Sequence, residues 1–86
     1  MLSVVYKPAF IRQFNKLTTV LQDEICAKVD LLKNPKNHSI LRVHKLHGAL
    51  VGKWSFAVDY KHRIVFTYIS KREVVLLVVG DHSVYE

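Results

Sequence analysis

Five histidines, thirteen lysines and arginines and four tyrosines face only seven carboxylates in this chain. Those four residue types are where chemistry beyond packing has to be sought. There is no Gly-rich phosphate loop, no Gly-x-Ser-x-Gly elbow and no His-Glu-x-x-His pair. His38, His44, His47, His62 and His82 are not spaced as a compact ligand set, and Cys26 has no second thiol beside it, so neither a metal nor a cofactor is expected. Arg, Lys, His and Tyr can together break a ribose phosphodiester unaided. A base removes the 2′-hydroxyl proton, a cation stabilises the charge gathering on phosphorus, and an acid protonates the departing 5′-oxygen. Histidine suits either proton transfer because it titrates near neutrality, and the planar fork of arginine can give a phosphate two hydrogen bonds.

The bulk properties agree with such a role. A chain of 86 residues makes one domain, residues 1–86, and half of it is hydrophobic, enough for a globular core. The longest apolar run, Val74 to Val79, falls well short of the roughly 20 residues a membrane helix needs. Met1 to Val5 is too short for the core of a signal peptide. With its single cysteine, the protein is expected in the cytoplasm and away from membranes. A formal net charge of +6 makes a polyanion the expected partner: RNA, DNA or an acidic protein.

The elements that would position these groups follow from periodicity. Leu2, Val4 and Tyr6 alternate with Ser3 and Val5 as a short opening strand. Pro8 suits the first turn of a helix, to which Phe10, Ile11, Phe14 and Leu17 give an apolar stripe. Thr18 or Thr19 can cap a second helix, on which Leu21, Ile25, Val29 and Leu32 share a face until Asn34-Pro35 stops it. Residues 36–51 show no period, and long irregular stretches of this kind tend to be functional. Leu46 and Leu50 are expected to anchor the stretch, with partial order around Ile40 and Val43. From Lys53 the period is two: Trp54, Phe56 and Val58 line one face of a strand, Asp59-Tyr60-Lys61 turns, and Ile64, Phe66 and Tyr68 line the next. Ser70 to Glu73 turns again into a central strand, Val74 to Val79, ended by Gly80 and a polar tail. The order β-α-α-β-β-β predicts an α+β domain with a helical hairpin packed on one face of an antiparallel sheet.

Gly52-Lys53-Trp54-Ser55, followed by His62-Arg63-Ile64-Val65-Phe66, resembles a block found in RelE/ParE superfamily toxins, nearest the YoeB branch. Leu46, Gly48 and Leu50 fit the lead-in to that block. Gly80-Asp81-His82-Ser83-Val84-Tyr85 is similar to the ending of RelE- and YafQ-like members: glycine, a histidine or arginine two places on, then an aliphatic and an aromatic residue.

This resemblance implies a toxin of a type II toxin-antitoxin system, held by a cognate antitoxin. Its activity would be metal-independent cleavage of mRNA on the ribosome, which inhibits translation. Arg63 matches the phosphate-contacting arginine, His82 the C-terminal acid or phosphate stabiliser, and Tyr85 the terminal aromatic. The chain departs from the family where Ser55, Phe56 and Ala57 replace the usual strand cations. His44 falls near the glutamate that is the base in YoeB-like toxins, and His44, Lys45 and His47 are the loop residues available to fill the gap. The expected catalytic set is therefore Arg63, His82, Tyr85, His47 and His44, with Lys45, Lys53 and Ser55 contacting substrate. His62 and Trp54 read as structural, on the face of Ile64 and of Phe56 respectively. Two alternatives stay open: a ParE-like binder that inhibits DNA gyrase without chemistry, and a catalytically decayed relative that only binds RNA or antitoxin.

Overall fold

Lys7 is extended (φ −73°, ψ 148°), and Pro8, whose fixed φ already suits a helix, opens α1 (Pro8–Asn15). Phe10 is buried and its ring lies 6.3 Å from that of Phe14. Ile11, a helical step of about 100° away, is 46% exposed and so lies off the core stripe. The Thr18 hydroxyl accepts the Leu21 amide (3.3 Å) and caps α2 (Thr19–Leu32), whose Ile25, Val29 and Leu32 are buried as their spacing predicts. Past its end, the His38 ring donates through Nε2 to the Leu32 carbonyl at 2.8 Å, satisfying one of the acceptors a helix end leaves free.

The structure, a computed structural model, describes residues 1–85. Five strands form one sheet: β1 (Ser3–Tyr6), β2 (His44–Lys45), β3 (Trp54–Ala57), β4 (Arg63–Ser70) and β5 (Glu73–Gly80), in the order β1-β5-β4-β3-β2. The α+β order expected from the sequence is the one observed, with β2 as an extra two-residue strand. The sheet is antiparallel from β2 to β5, but β1 joins the edge parallel to β5, making it mixed. Period-two alternation says which residues share a face and nothing about the direction of pairing, so this feature had no local signal. Strand β5 is interior, as its unbroken apolar run required.

Phe56, Ile64, Phe66, Val74, Leu76 and Val79 bury one face of the sheet against Phe10, Ile25, Val29 and Leu32. Trp54 joins this side, its ring 5.4 Å from that of Tyr68, as expected for a packing residue. Within residues 36–51 the anchor is Leu41, 2% exposed, whose carbonyl accepts the Ala57 amide. Leu46 and Leu50 are only half-buried, and Ile40 is exposed. Leu41 extends the sheet past β2, so it reaches the core where the other two sit over a turn.

The opposite face is closed at one end by the tail. Residues His82–Tyr85 form a single 3-10 turn that folds back over β4 and β5. Ser55 and Val65 belong to this face by register, yet are 0% and 2% exposed because the tail lies on them.

Candidate functional site

The tail-bearing face is built in cross-strand rows. His44 of β2 pairs with Ser55 of β3, and Ser55 with Val65 of β4, so the three share one row. In the next row Arg63 lies between Ala57 and Gly80. The Ser55 hydroxyl is 2.7 Å from the Tyr85 hydroxyl, and the rings of Tyr85 and His82 meet edge to face at 5.6 Å between centroids. His44, Ser55, Arg63, His82 and Tyr85 are thus gathered onto two adjacent rows and the turn above them. Sequence separation gave no hint that Ser55 would seat Tyr85.

His44, Ser55, Arg63 and Tyr85 are each held by hydrogen bonds. His44 Nδ1 lies 2.7 Å from the Arg42 carbonyl. A carbonyl only accepts, so Nδ1 carries the hydrogen and the lone pair of the neutral ring sits on Nε2. The Arg63 guanidinium donates through Nη1 to the carbonyls of Asp59 and His62. Among the described residues the Nε–Nη2 edge, the one suited to side-on pairing with an anion, has no partner.

The turn behind Arg63 is fixed by Asp59. Its Oδ1 accepts the amides of Lys61 (2.9 Å) and His62 (2.6 Å), and the His62 ring donates through Nδ1 to the same carboxylate at 3.1 Å. His62 is therefore a turn-binding residue, as expected. Partial burial pushes the Asp59 carboxyl up, but hydrogen bonds from His62 and Lys61 and the His62 charge outweigh it and hold the group below the ordinary aspartate value. Asp81 is lowered as well, chiefly by hydrogen bonds from the Ser83 backbone and side chain and, to a lesser degree, by the charges of Lys61 and His62.

Two expected residues stand apart, and a third is in place but engaged. Lys45 is on the opposite face, its ammonium 5.4 Å from the centre of the Trp54 ring. His47 is exposed in the turn after β2 and its side chain caps nothing. Ser55 is on the right face, but it is buried and its hydroxyl is taken up by Tyr85. Lys53 is half-buried just before β3 and alternates onto the Ser55 side.

The sequence marks Asp59 only as a turn residue and Gly80 only as the strand end and the motif glycine, and it does not mark Arg42 at all. The first has a turn signature, Asp-Tyr-Lys, but its use in holding Arg63 is a tertiary fact. A Cβ placed on Gly80 would come within 2.9 Å of Val84 Cγ1, so glycine is what lets the tail approach. Arg42 adopts φ +58°, which an arginine side chain does not announce. Among the described residues no three His, Cys, Asp or Glu side chains are grouped to hold a metal, and no helix is long and apolar enough to cross a membrane.

Solved structures share this fold over nearly their whole lengths. A YoeB/ParE toxin from Agrobacterium tumefaciens superposes with a TM-score of 0.77 at 15% identity, covering 94% of this chain and 99% of that one. The fold is that of the RelE/ParE toxins. YafQ from E. coli gives a TM-score of 0.79 at 10% identity over 99% of this chain and 98% of its own. The toxin-fold chain also matches a YoeB-YefM complex from Staphylococcus aureus (TM-score 0.74, 16% identity, 95% and 98% covered). No family model and no curated protein matches the sequence. The RelE/ParE fold is thus carried here at 10–16% identity to these structures.

Proposed function

We propose that this chain is the toxin of a toxin-antitoxin pair and acts as a metal-independent endoribonuclease on mRNA at the ribosome. The observation that carries this reading is His44, whose Nδ1 is tied to the Arg42 carbonyl while its row holds the Ser55–Tyr85 bond and the next row holds Arg63. His44 Nε2 accepts the 2′-hydroxyl proton, and the 2′-oxygen attacks the adjacent phosphorus. The Nε–Nη2 edge of Arg63 donates to the non-bridging oxygens as charge builds. His82 protonates the 5′-oxygen as its bond to phosphorus breaks, leaving a 2′,3′-cyclic phosphate and a 5′-hydroxyl. Tyr85, held by Ser55, orients the nucleotide against His82. His44 thus takes the place of the glutamate base that the family resemblance implied, and Arg63 stands in for the missing strand cations. His47 and Lys53 are left as outlying contacts to RNA, and Lys45, on the far face over Trp54, drops out of the site.

An antitoxin would shield this face. The fold is also found in a YoeB-YefM complex, and a basic surface invites an acidic protein segment. The test is cleavage of mRNA by the purified protein, with and without ribosomes. His44→Gln and Arg63→Gln are expected to slow cleavage by about 100-fold or more while both variants stay folded. Intact mRNA with inhibited gyrase would instead establish the ParE-like binder. One feature favours that second reading: an apolar groove of about 430 Å³ between the helices and β1, lined by Tyr6, Phe10, Ile11, Phe14, Ile25 and Val29.

A further inference from the structure

Resting on the endoribonuclease reading, we propose that Arg42, beside Arg63 in one cavity, holds a second backbone phosphate of single-stranded RNA, with Tyr60 as the stacking platform of this second site. Arg42, Tyr60 and Arg63 line one shallow cavity of about 400 Å³ with Ile40, Ala57 and Val58. The two arginines reach it from different elements: Arg63 from the start of β4, and Arg42 from the segment whose Leu41 carbonyl pairs with Ala57. Among the described residues neither arginine has a carboxylate partner at ion-pair distance. Lys28 also lines the cavity, but its ammonium is held by Glu24 at 2.8 Å, so it adds little charge. The Asp59 carboxylate on the same wall is already bonded to two amides and the His62 ring.

Two features point to a nucleic acid. Arg42 sits in the left-handed region at φ +58°, a strained placement for an exposed non-glycine residue, and strain of this kind concentrates at functional sites. That one kink sends the Arg42 carbonyl to His44 and leaves the side chain on the cavity wall. Tyr60 is 91% exposed beside these cations. An aromatic ring left in water next to two arginines is an arrangement that stacks on a base while the neighbouring phosphate is neutralised. An acidic peptide would need the cations and leave the ring idle. The site would hold the strand next to the bond that His44 opens, restoring the positive charge missing from β3.

The experiment is binding of a fluorescent 2′-O-methyl RNA decamer, which cannot be cleaved, measured by anisotropy over a range of KCl. Arg42→Asn keeps a residue that tolerates left-handed backbone, and should weaken binding several-fold. It should also flatten the log–log salt dependence by about 0.7, the slope that one neutralised phosphate contributes on a single strand. Arg42→Lys should restore the slope. Tyr60→Ala should weaken binding at least fivefold with the slope unchanged. If Arg42→Asn binds like the wild type while Arg63→Gln loses affinity, the second site is wrong and the nuclease reading stands. If the wild type binds no RNA at any salt, both fall. If Arg42→Asn loses only a polyglutamate probe, the cavity takes an acidic protein segment and the RNA proposal is overturned. Unchanged thermal denaturation of each variant secures the comparison.

Discussion

The Ser55 and Tyr85 hydroxyls lie 2.7 Å apart, joining the buried centre of β3 to the last turn of the described chain. Ser55 is the only buried polar side chain among the described residues, so this bond is what satisfies it. The two ends of the bond are not equivalent. Ser55→Ala removes the buried hydroxyl and leaves a tyrosine that can turn to water, whereas Tyr85→Phe strands the serine. The first should cost about 1 kcal/mol, or roughly 4–8 °C in Tm, and the second about 1–3 kcal/mol. Thermal denaturation of both variants checks the order. A Ser55→Ala change more damaging than Tyr85→Phe would mean that the bond is not what places the tail.

Gly80→Ala should act through the same tail. The new methyl would meet Val84 at 2.9 Å and lift the 3-10 turn that carries His82 and Tyr85. We expect cleavage to fall tenfold or more with only a small change in Tm, because the turn lies outside the main core. Full activity in this variant would show that close approach of the tail is dispensable.

Acid sensitivity follows from Asp59. Its carboxyl is held below 3.8 in the folded protein, so the stability it contributes is present above the ordinary aspartate value and is lost as pH falls through the folded one. Stability should therefore decline below about pH 4. Asp59→Asn, with an amide oxygen still able to accept the Lys61 and His62 amides, should be less stable at neutral pH and lose less on acidification. The comparison of Tm against pH for the two proteins is the measurement.

Neighbouring residues on β2 should differ sharply. His44→Gln is expected to slow cleavage by about 100-fold or more, while Lys45→Ala, on the far face over Trp54, should leave it within about twofold. Equal losses in a quantitative cleavage assay would contradict the facing of the strand.

Much of this was legible in the sequence because the determinants are local. Pro8, Thr18 and Asn34-Pro35 bound the helices, and Phe56, Ile64 and Phe66 alternate into the core as period two requires. Arg63, His82 and Tyr85 could be chosen from their motif positions. Leu41 could not be told from Leu46 or Leu50, since an irregular segment has no period to mark its inward residue. The left-handed turn at Arg42, and with it the placing of His44 Nδ1, also lay beyond the sequence: glycine or asparagine would have signalled such a turn, and arginine does not.

The parallel seam between β1 and β5 ties Ser3 to Glu73 and Tyr6 to Leu76, a separation of about seventy residues. On a growing chain the first strand has no partner until nearly everything else has been made. Closing so large a loop is slow compared with forming the helical hairpin, so the sheet edge seals late. Residues that cover the opposite face of the sheet, Gly80 through Tyr85, follow β5 and are added later still. On the proposed reading, cleavage would therefore appear only once β5 and the tail beyond it have joined the sheet.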